Sequence, residues 1–405
     1  MSLYNLVVLK ENKVLKLFKY SDRLIYIGAI VLSIFGSAMI ISAEMGEASA
    51  DLSVISDSSF RLIVYLVLGI VALILFSLDF ISKIVKKTIH LGYFVVLILL
   101  LATRLFNPVG GAYGWIRLGI FRFQPSELAK LYAILLASNM FSNDESIDHK
   151  KNFWRYIEMI GAYVLIIVVL QNDLGSALVV AAIAYVCILI SPLKEIKHYQ
   201  NRMILILFAL LIIFCIVLTP LGTKLFELFS DNYQAKRVLA SANPFAYEYD
   251  SGYHLIMSLV SFATGGLFGL GYGKSIHKYM NFPNPSTDFI LPVIVEEMGV
   301  VGGLLPILVL YSFILIPLIF HSKRDPFASG RIILVGTFMY FICHFVLNVG
   351  GVSGLIPLTG VPLLLISSGG TSLVTSLAAL GLCENEIINY RKGLNKQNEN
   401  SIRKI

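Results

Sequence analysis

The sequence predicts an all-α polytopic membrane protein, with ten transmembrane helices and a long external loop between spans seven and eight. Three observations predict it. Of 405 residues, 57% are AVILMFWYC and only 14% are charged, where soluble domains run near 45–50% and about 25%. Mean hydropathy is +0.79. This composition excludes a soluble enzyme, a disordered chain and a secreted disulfide scaffold. Ten apolar runs approach the roughly 20 residues that a spanning helix needs, and the basic residues gather on one side of them.

The runs are 24–42, 60–80, 89–106, 125–142, 154–170, 175–191, 203–219, 293–320, 332–350 and 362–383. Ten spans put both termini on one face. The arm from Lys10 to Arg23, the loops at 83–87, 150–155, 194–202 and 323–331, and the tail from Arg391 carry 22 of the 32 Lys+Arg. The first loop on the opposite face, 43–59, holds Glu44, Glu47, Asp51 and Asp57 without a base. The positive-inside rule makes both termini cytoplasmic. Orientation thus accounts for most of the +7 net charge, with no nucleic-acid partner. The first apolar run begins beyond Arg23 and lacks a small-residue cleavage pattern, so it reads as a span, not a signal peptide. We read one membrane domain over 1–392 and a cytoplasmic tail over 393–405. Cys187, Cys215, Cys343 and Cys383 all fall in expected spans and read as small packing residues.

The external segment, about 220–292, exceeds what a connection requires and is a functional candidate. Its amphipathic stretch 253–263 is expected to fold back on the membrane surface. The run from Gly265 to Gly273-Lys274-Ser275 suggests a nucleotide loop, but the required first glycine is Phe268.

Ionisable residues at membrane depth are costly and are functional candidates. Span four opens Gln124-Pro125-Ser126-Glu127-Leu128-Ala129-Lys130, with Glu127 and Lys130 on one helical face. Asp173 lies between spans five and six, Asp288 precedes span eight, and Glu296 and Glu297 lie deeper in it. Arg117 and Arg122 precede span four. Each has a structural alternative: an ion pair between helices for Glu127 and Lys130, helix caps for Asp173 and Asp288, headgroup snorkelling for the arginines. His344 and Asn348, one turn apart in span nine, read as a helix–helix hydrogen-bonding pair. A carboxylate base (Asp288) with cations (Arg117, Arg122, Lys130, Arg237) beside lipid suits a membrane-anchored substrate with an anionic leaving group. A lipid transporter would use the same cations.

These residues fall in ordered motifs. Gly111 to Gly119 leads into Phe123 to Lys130, followed by Gln171 to Leu178, Tyr233 to Arg237, Gly252 to Ser258 and Gly265 to Gly269. Then come Thr287 to Ile290, Glu296 to Gly299, Pro357 to Leu363 and Ser367 to Ser372. From about residue 20 to 390 the chain resembles the SEDS proteins (shape, elongation, division and sporulation), the FtsW/RodA/SpoVE type, and it leans to the FtsW form. The resemblance implies a peptidoglycan glycosyltransferase that polymerises lipid II at the outer face of the cytoplasmic membrane. It implies Asp288 as the catalytic base and an inverting displacement. It gathers Arg117, Arg122, Gln124, Ser126, Glu127, Lys130, Asp173, Tyr233, Gln234, Arg237, Glu297, Ser367, Gly369 and Gly370 as substrate-binding candidates. No organic cofactor is implied; a divalent cation, Mg²⁺ or Mn²⁺, on the diphosphate is an option. The implied partners are the nascent glycan strand, a class B penicillin-binding protein and other divisome or elongasome membrane proteins, at the division septum for an FtsW role. A lipid II flippase and a non-catalytic divisome scaffold are the rival readings.

The chain departs from the family at several positions. Asn172 stands where the family has proline, Gly114 where it has arginine, and His254 where it has glutamine. Asn284, Leu364 and Ser368 replace glutamate, proline and tyrosine.

Overall fold

The computed structural model describes residues 20–47, 52–109, 111–119, 121–142, 148–217, 219, 233–248, 252–280, 282 and 284–402. Helices α1 (Arg23–Glu47) and α2 (Leu52–Phe76) come first, followed by a short charged helix α3 (Asp79–Lys87) and α4 (Ile89–Ala102). A two-stranded antiparallel hairpin, β1 (Ile116–Leu118) and β2 (Phe121–Phe123), leads into α5 (Pro125–Met140). Then come α6 (His149–Leu165), extended by a π-helical turn at Ile166–Leu170, α7 (Leu174–Ile190) and α8 (Lys197–Val217). The long segment after α8 holds α9 (Tyr233–Ala242) and α10 (Tyr253–Gly265). Helix α11 (Ile290–Gly299) runs through a π turn at Val300–Leu304 into α12 (Leu305–Arg324), followed by α13 (Ala328–Val352) and α14 (Gly370–Ile402).

The helix starts follow from local chemistry. Pro125 begins α5 where its missing N–H costs nothing. Asp148 and Asp173 cap α6 and α7, accepting from the backbone N–H of Lys151 (3.0 Å) and Ser176 (2.9 Å). Helix α14 packs along α2, α12 along α1, and α13 against both α5 and α7. Glycine permits the closest approach: a Cβ on Gly381 would stand 2.5 Å from the Leu73 carbonyl oxygen. The outer faces are apolar, as on α2, where Ile63, Val67, Leu68, Val71 and Ile74 are exposed. Such surface faces hydrocarbon in a membrane protein. Helix α14 is the reverse, with Glu384, Asn385 and Glu386 buried among other helices.

Each expected span coincides with a helix, but the count of ten is not confirmed. By length and apolarity five described helices qualify as spans, or seven if each bent pair is one span. The pairs are α3 with α4 (74°) and α7 with α8 (119°). Helix α5 is short, and α14 carries its polar residues inside the bundle. The tenth segment also starts later than expected. Residues 362–369 form turns, because Leu365 takes φ +65° and the Ser367 hydroxyl accepts the Leu363 N–H at 2.8 Å. Of the long segment after α8, α10 packs on α11 and α13, with Ser258 donating to the Val352 carbonyl at 2.6 Å. It is therefore seated on protein.

Candidate functional site

The loop between α13 and α14 collects the elements that carry the expected site residues. Its carbonyls and hydroxyls meet them in sequence order. Leu358 O accepts from Arg237 of α9 at 3.0 Å. A Cβ on Gly175, in the first turn of α7, would clash with Thr359 O. Gly360 takes the left-handed φ of +71° that favours glycine, close enough to Asp288 that a Cβ there would meet its Oδ2 at 3.6 Å. Val361 O and the Asp288 carbonyl both accept from the Asn348 amide at 2.9 Å. Pro362 O contacts His344 Nδ1 at 2.8 Å. The Ser368 N–H donates to Ser286 O at 2.8 Å, and Thr371 Oγ1 accepts the Gln124 N–H at 3.1 Å.

Asp288 sits half-buried in the turn that starts α11. Asn284 makes that turn by taking φ +49°, with its carbonyl accepting from Thr287 and Phe289, a conformation asparagine tolerates. Burial pushes the Asp288 carboxyl up to about 6; Arg237 pulls it down and the negative charge of Asp173 pushes it up. Asp173 also faces Gln124, whose Nε2 lies 3.4 Å from its Oδ2. Asn172 beside it has φ +57°, which proline, locked near −65°, could not adopt. His254 stacks on Phe289 at 5.8 Å, against the same turn.

Glu127 and Lys130 lie fully buried one helical turn inside α5, paired at 2.5 Å. Glu127 also accepts from the Tyr340 hydroxyl at 2.8 Å, and Lys130 Nζ lies 3.1 Å from His344 Nε2. Ser126 contacts Ser176 of α7 at 3.4 Å. Arg117 and Arg122 stand opposite each other on the hairpin, both exposed. Tyr65 fixes the hairpin by donating to Arg122 O and accepting the Arg122 N–H. Gly119, at φ +62°, supplies the left-handed turn between the strands. Directly opposed like charges repel, so the pair favours an anion between them.

The other expected residues have their own surroundings. Ser367, Gly369 and Gly370 line a small cleft of about 10 Å³ with Ser37 and Tyr65, between α1 and α2. Glu297 turns into the glycine-rich segment and pairs with Lys278 at 2.7 Å, both fully buried. Tyr233 and Gln234 belong to α9, but their side chains lie outside the described residues. The helix–helix hydrogen bond expected of His344 and Asn348 is present for His344, whose Nε2 lies 3.1 Å from Lys130 Nζ of α5. His344 and Asn348 each also reach the α13–α14 loop, and Tyr340 lies on the same face of α13. Among the described residues, Cys187, Cys343 and Cys383 are buried free thiols.

Fold and site together define a multi-pass helical membrane protein in which one irregular loop ties a half-buried acid to an arginine and to a buried lysine. The chain belongs to the FtsW/RodA/SpoVE family of cell cycle proteins, matched over residues 22–392. It is 31% identical over 380 residues to a Bacillus subtilis (strain 168) protein named "Probable peptidoglycan glycosyltransferase FtsW", covering 92% of this chain and 91% of the relative. It is 32% identical over 306 residues to the peptidoglycan glycosyltransferase MrdB of Escherichia coli (strain K12), covering 75% and 78%. A solved structure, described as the structural coordination of polymerization and crosslinking by a peptidoglycan synthase complex, contains a chain 27% identical. That match has a TM-score of 0.68 and covers 90% of this chain and 97% of that one.

Proposed function

We propose that this chain is a peptidoglycan glycosyltransferase that polymerises lipid II at the outer face of the cytoplasmic membrane, with both termini in the cytoplasm. The observation that carries the mechanism is the placing of Asp288, half-buried in the turn that starts α11, where burial pushes its carboxyl up to about 6 against the pull of Arg237. A general base works best when its pKa lies near the operating pH. Asp288 takes the proton from the 4-hydroxyl of the acceptor GlcNAc as that oxygen attacks the anomeric carbon of the lipid-linked donor. The new C–O bond forms on the face opposite the diphosphate, whose bond to carbon breaks with the electron pair leaving on oxygen. One displacement inverts the α-linkage to β-1,4, as in inverting glycosidases.

The departing diphosphate needs positive charge. Arg117 and Arg122 are exposed on the hairpin to supply it directly, while Arg237 and the buried Lys130 add positive potential from behind. Gln124, Ser126, Tyr233 and Gln234 stay substrate-binding candidates in this reading. Ser367, Gly369 and Gly370 shape the cleft beside Tyr65. Glu297 supports the external segment. The donor chemistry also fits a divalent cation, Mg²⁺ or Mn²⁺, shared with the substrate. Among the described residues no cluster of three or more His, Cys, Asp or Glu is gathered, and Mg²⁺ is commonly held by one or two carboxylates plus phosphate oxygens. Asp173 would hold it, and the ion would supply further positive charge to the diphosphate.

A class B penicillin-binding protein is the partner we expect, since polymerization and crosslinking are joined in the complex that contains the similar chain. An FtsW role at the septum is the cellular setting we favour. The direct test is lipid II polymerisation by Asp288→Ala, purified with its cognate partner. Loss of glycan product with fold intact is expected; full activity would overturn the assignment of Asp288.

A further inference from the structure

His344 is buried in α13 between Lys130, which the proposed mechanism uses, and the loop that packs beside Asp288. Its Nδ1 lies 2.8 Å from the Pro362 carbonyl and its Nε2 lies 3.1 Å from Lys130 Nζ. A carbonyl can only accept a hydrogen bond, so Nδ1 carries a proton. An ammonium can only donate, so Nε2 presents a lone pair. The two partners therefore fix the ring as a neutral imidazole with its hydrogen on Nδ1. An imidazolium would set an N–H against the ammonium.

The ring is held in that orientation. Tyr340 packs against it edge to face, with centroids 4.9 Å apart, and donates its own hydroxyl to Glu127. Glu127 in turn accepts from Lys130. The four side chains close a circuit whose outlet is Pro362. One turn further along α13, Asn348 ties Val361 to the Asp288 carbonyl, and a Cβ on neighbouring Gly360 would meet Asp288 Oδ2 at 3.6 Å. The loop segment Val361 to Pro362 is thus linked through Asn348 to the Asp288 backbone and through His344 to Lys130.

We infer that His344 is a positioning residue: as a neutral Nδ1–H imidazole it sets the Lys130 ammonium and the loop beside Asp288 at a fixed separation. This rests on the glycosyltransferase reading above. Its consequence is that the side chain at 344 needs one donor and one acceptor at imidazole spacing, not an imidazole as such. Glutamine meets that requirement, with its amide donating to Pro362 O and its carbonyl accepting from Lys130. Leucine fills the space without either bond.

The experiment measures lipid II polymerisation by the full chain with its partner, for wild type, His344→Gln and His344→Leu, and compares unfolding temperatures. We expect His344→Leu to lose about 10- to 100-fold in kcat, as for a small misplacement of reacting groups, with KM for lipid II near wild type. We expect His344→Gln to stay within about threefold of wild type. Equal activity of the leucine and glutamine variants, high or low, overturns the inference. A wild-type complex that makes no glycan overturns the functional reading itself. The ring is read separately by ¹⁵N NMR of histidine-labelled protein, with His344→Gln identifying the signal. A neutral ring protonated on Nδ1 is expected; protonation on Nε2 or on both nitrogens overturns the inference independently of activity and of folding of the variants.

Discussion

Among the described residues two lysine–glutamate pairs are fully buried, and their surroundings differ. Lys278 and Glu297 join the segment before α11 to α11 itself, and every neighbour belongs to the same knot. Glu297 accepts from Ser42 and from the N–H groups of Gly273 and Ser275, while Lys278 also donates to the carbonyl and hydroxyl of Ser42. Next to it, Glu296 accepts from Ser275, Ile276 and His277. This pair satisfies itself and pins the glycine-rich run to α1. Lys130 and Glu127 have fewer bonds, and one of them leaves the pair through His344 for the loop beside Asp288. Removing charges from water is costly, and only full hydrogen bonding offsets the cost. The saturated pair holds the scaffold; the pair with an outward link belongs to the site.

The largest effect expected is on the scaffold pair. Glu297→Gln leaves the Lys278 ammonium buried without its counter-charge and should destabilise the protein by roughly 3–5 kcal/mol, read as a lower unfolding temperature in detergent. An unchanged temperature breaks the comparison at once. The next test removes both charges. The double variant Lys278→Met with Glu297→Gln should recover most of that stability and keep near-normal polymerisation. The matching Lys130→Met with Glu127→Gln should also fold, but lose about 10²-fold in rate. Equal activities would erase the distinction between the pairs.

A third, smaller effect concerns pH. Asp288 must be ionised to accept a proton, and burial places its carboxyl near 6. Polymerisation should therefore fall as pH drops through about 6 and level off above it. Asp173→Asn removes a charge that raises this value and should move the acid limb to lower pH; Arg237→Gln should move it higher. The Lys278/Glu297 double variant should leave the limb in place. The smallest effect is on the hairpin. Arg117→Gln or Arg122→Gln should raise KM for lipid II by a few fold, or about 1 kcal/mol, as expected for exposed charge contacts, with kcat unchanged.

Much of this was legible in the residues. Apolar runs located the helices, Pro125 and Asp173 marked two of their starts, and the three-residue spacing of Glu127 and Lys130 gave their pairing. Other features depend on chain segments far apart in sequence. The depth of Glu297 in its span suggested a place near Asp288, but the returning loop supplies Lys278 from 19 residues upstream. Spacing showed that His344 and Asn348 share a face of α13, and could not show that an irregular loop would occupy it. The same loop looked like the start of a span because Val361, Leu363, Leu364, Leu365 and Ile366 are apolar. They are buried by protein, and the turn at Leu365 ends in the Gly369-Gly370 step.

The packing of α14 along α2 has a consequence for biosynthesis. Nearly 300 residues separate the end of α2 from the start of α14, so at about 5–20 residues per second the second helix waits roughly 15–60 s for its partner. A helix that waits must be at home in lipid by itself, and the outer face of α2 is apolar over several turns. The last helix emerges when its neighbours are already in place, which lets it carry Glu384, Asn385 and Glu386 into the bundle. The order of synthesis thus leaves its mark on which helices are greasy and which are polar, and makes the site the last part of the protein to be completed.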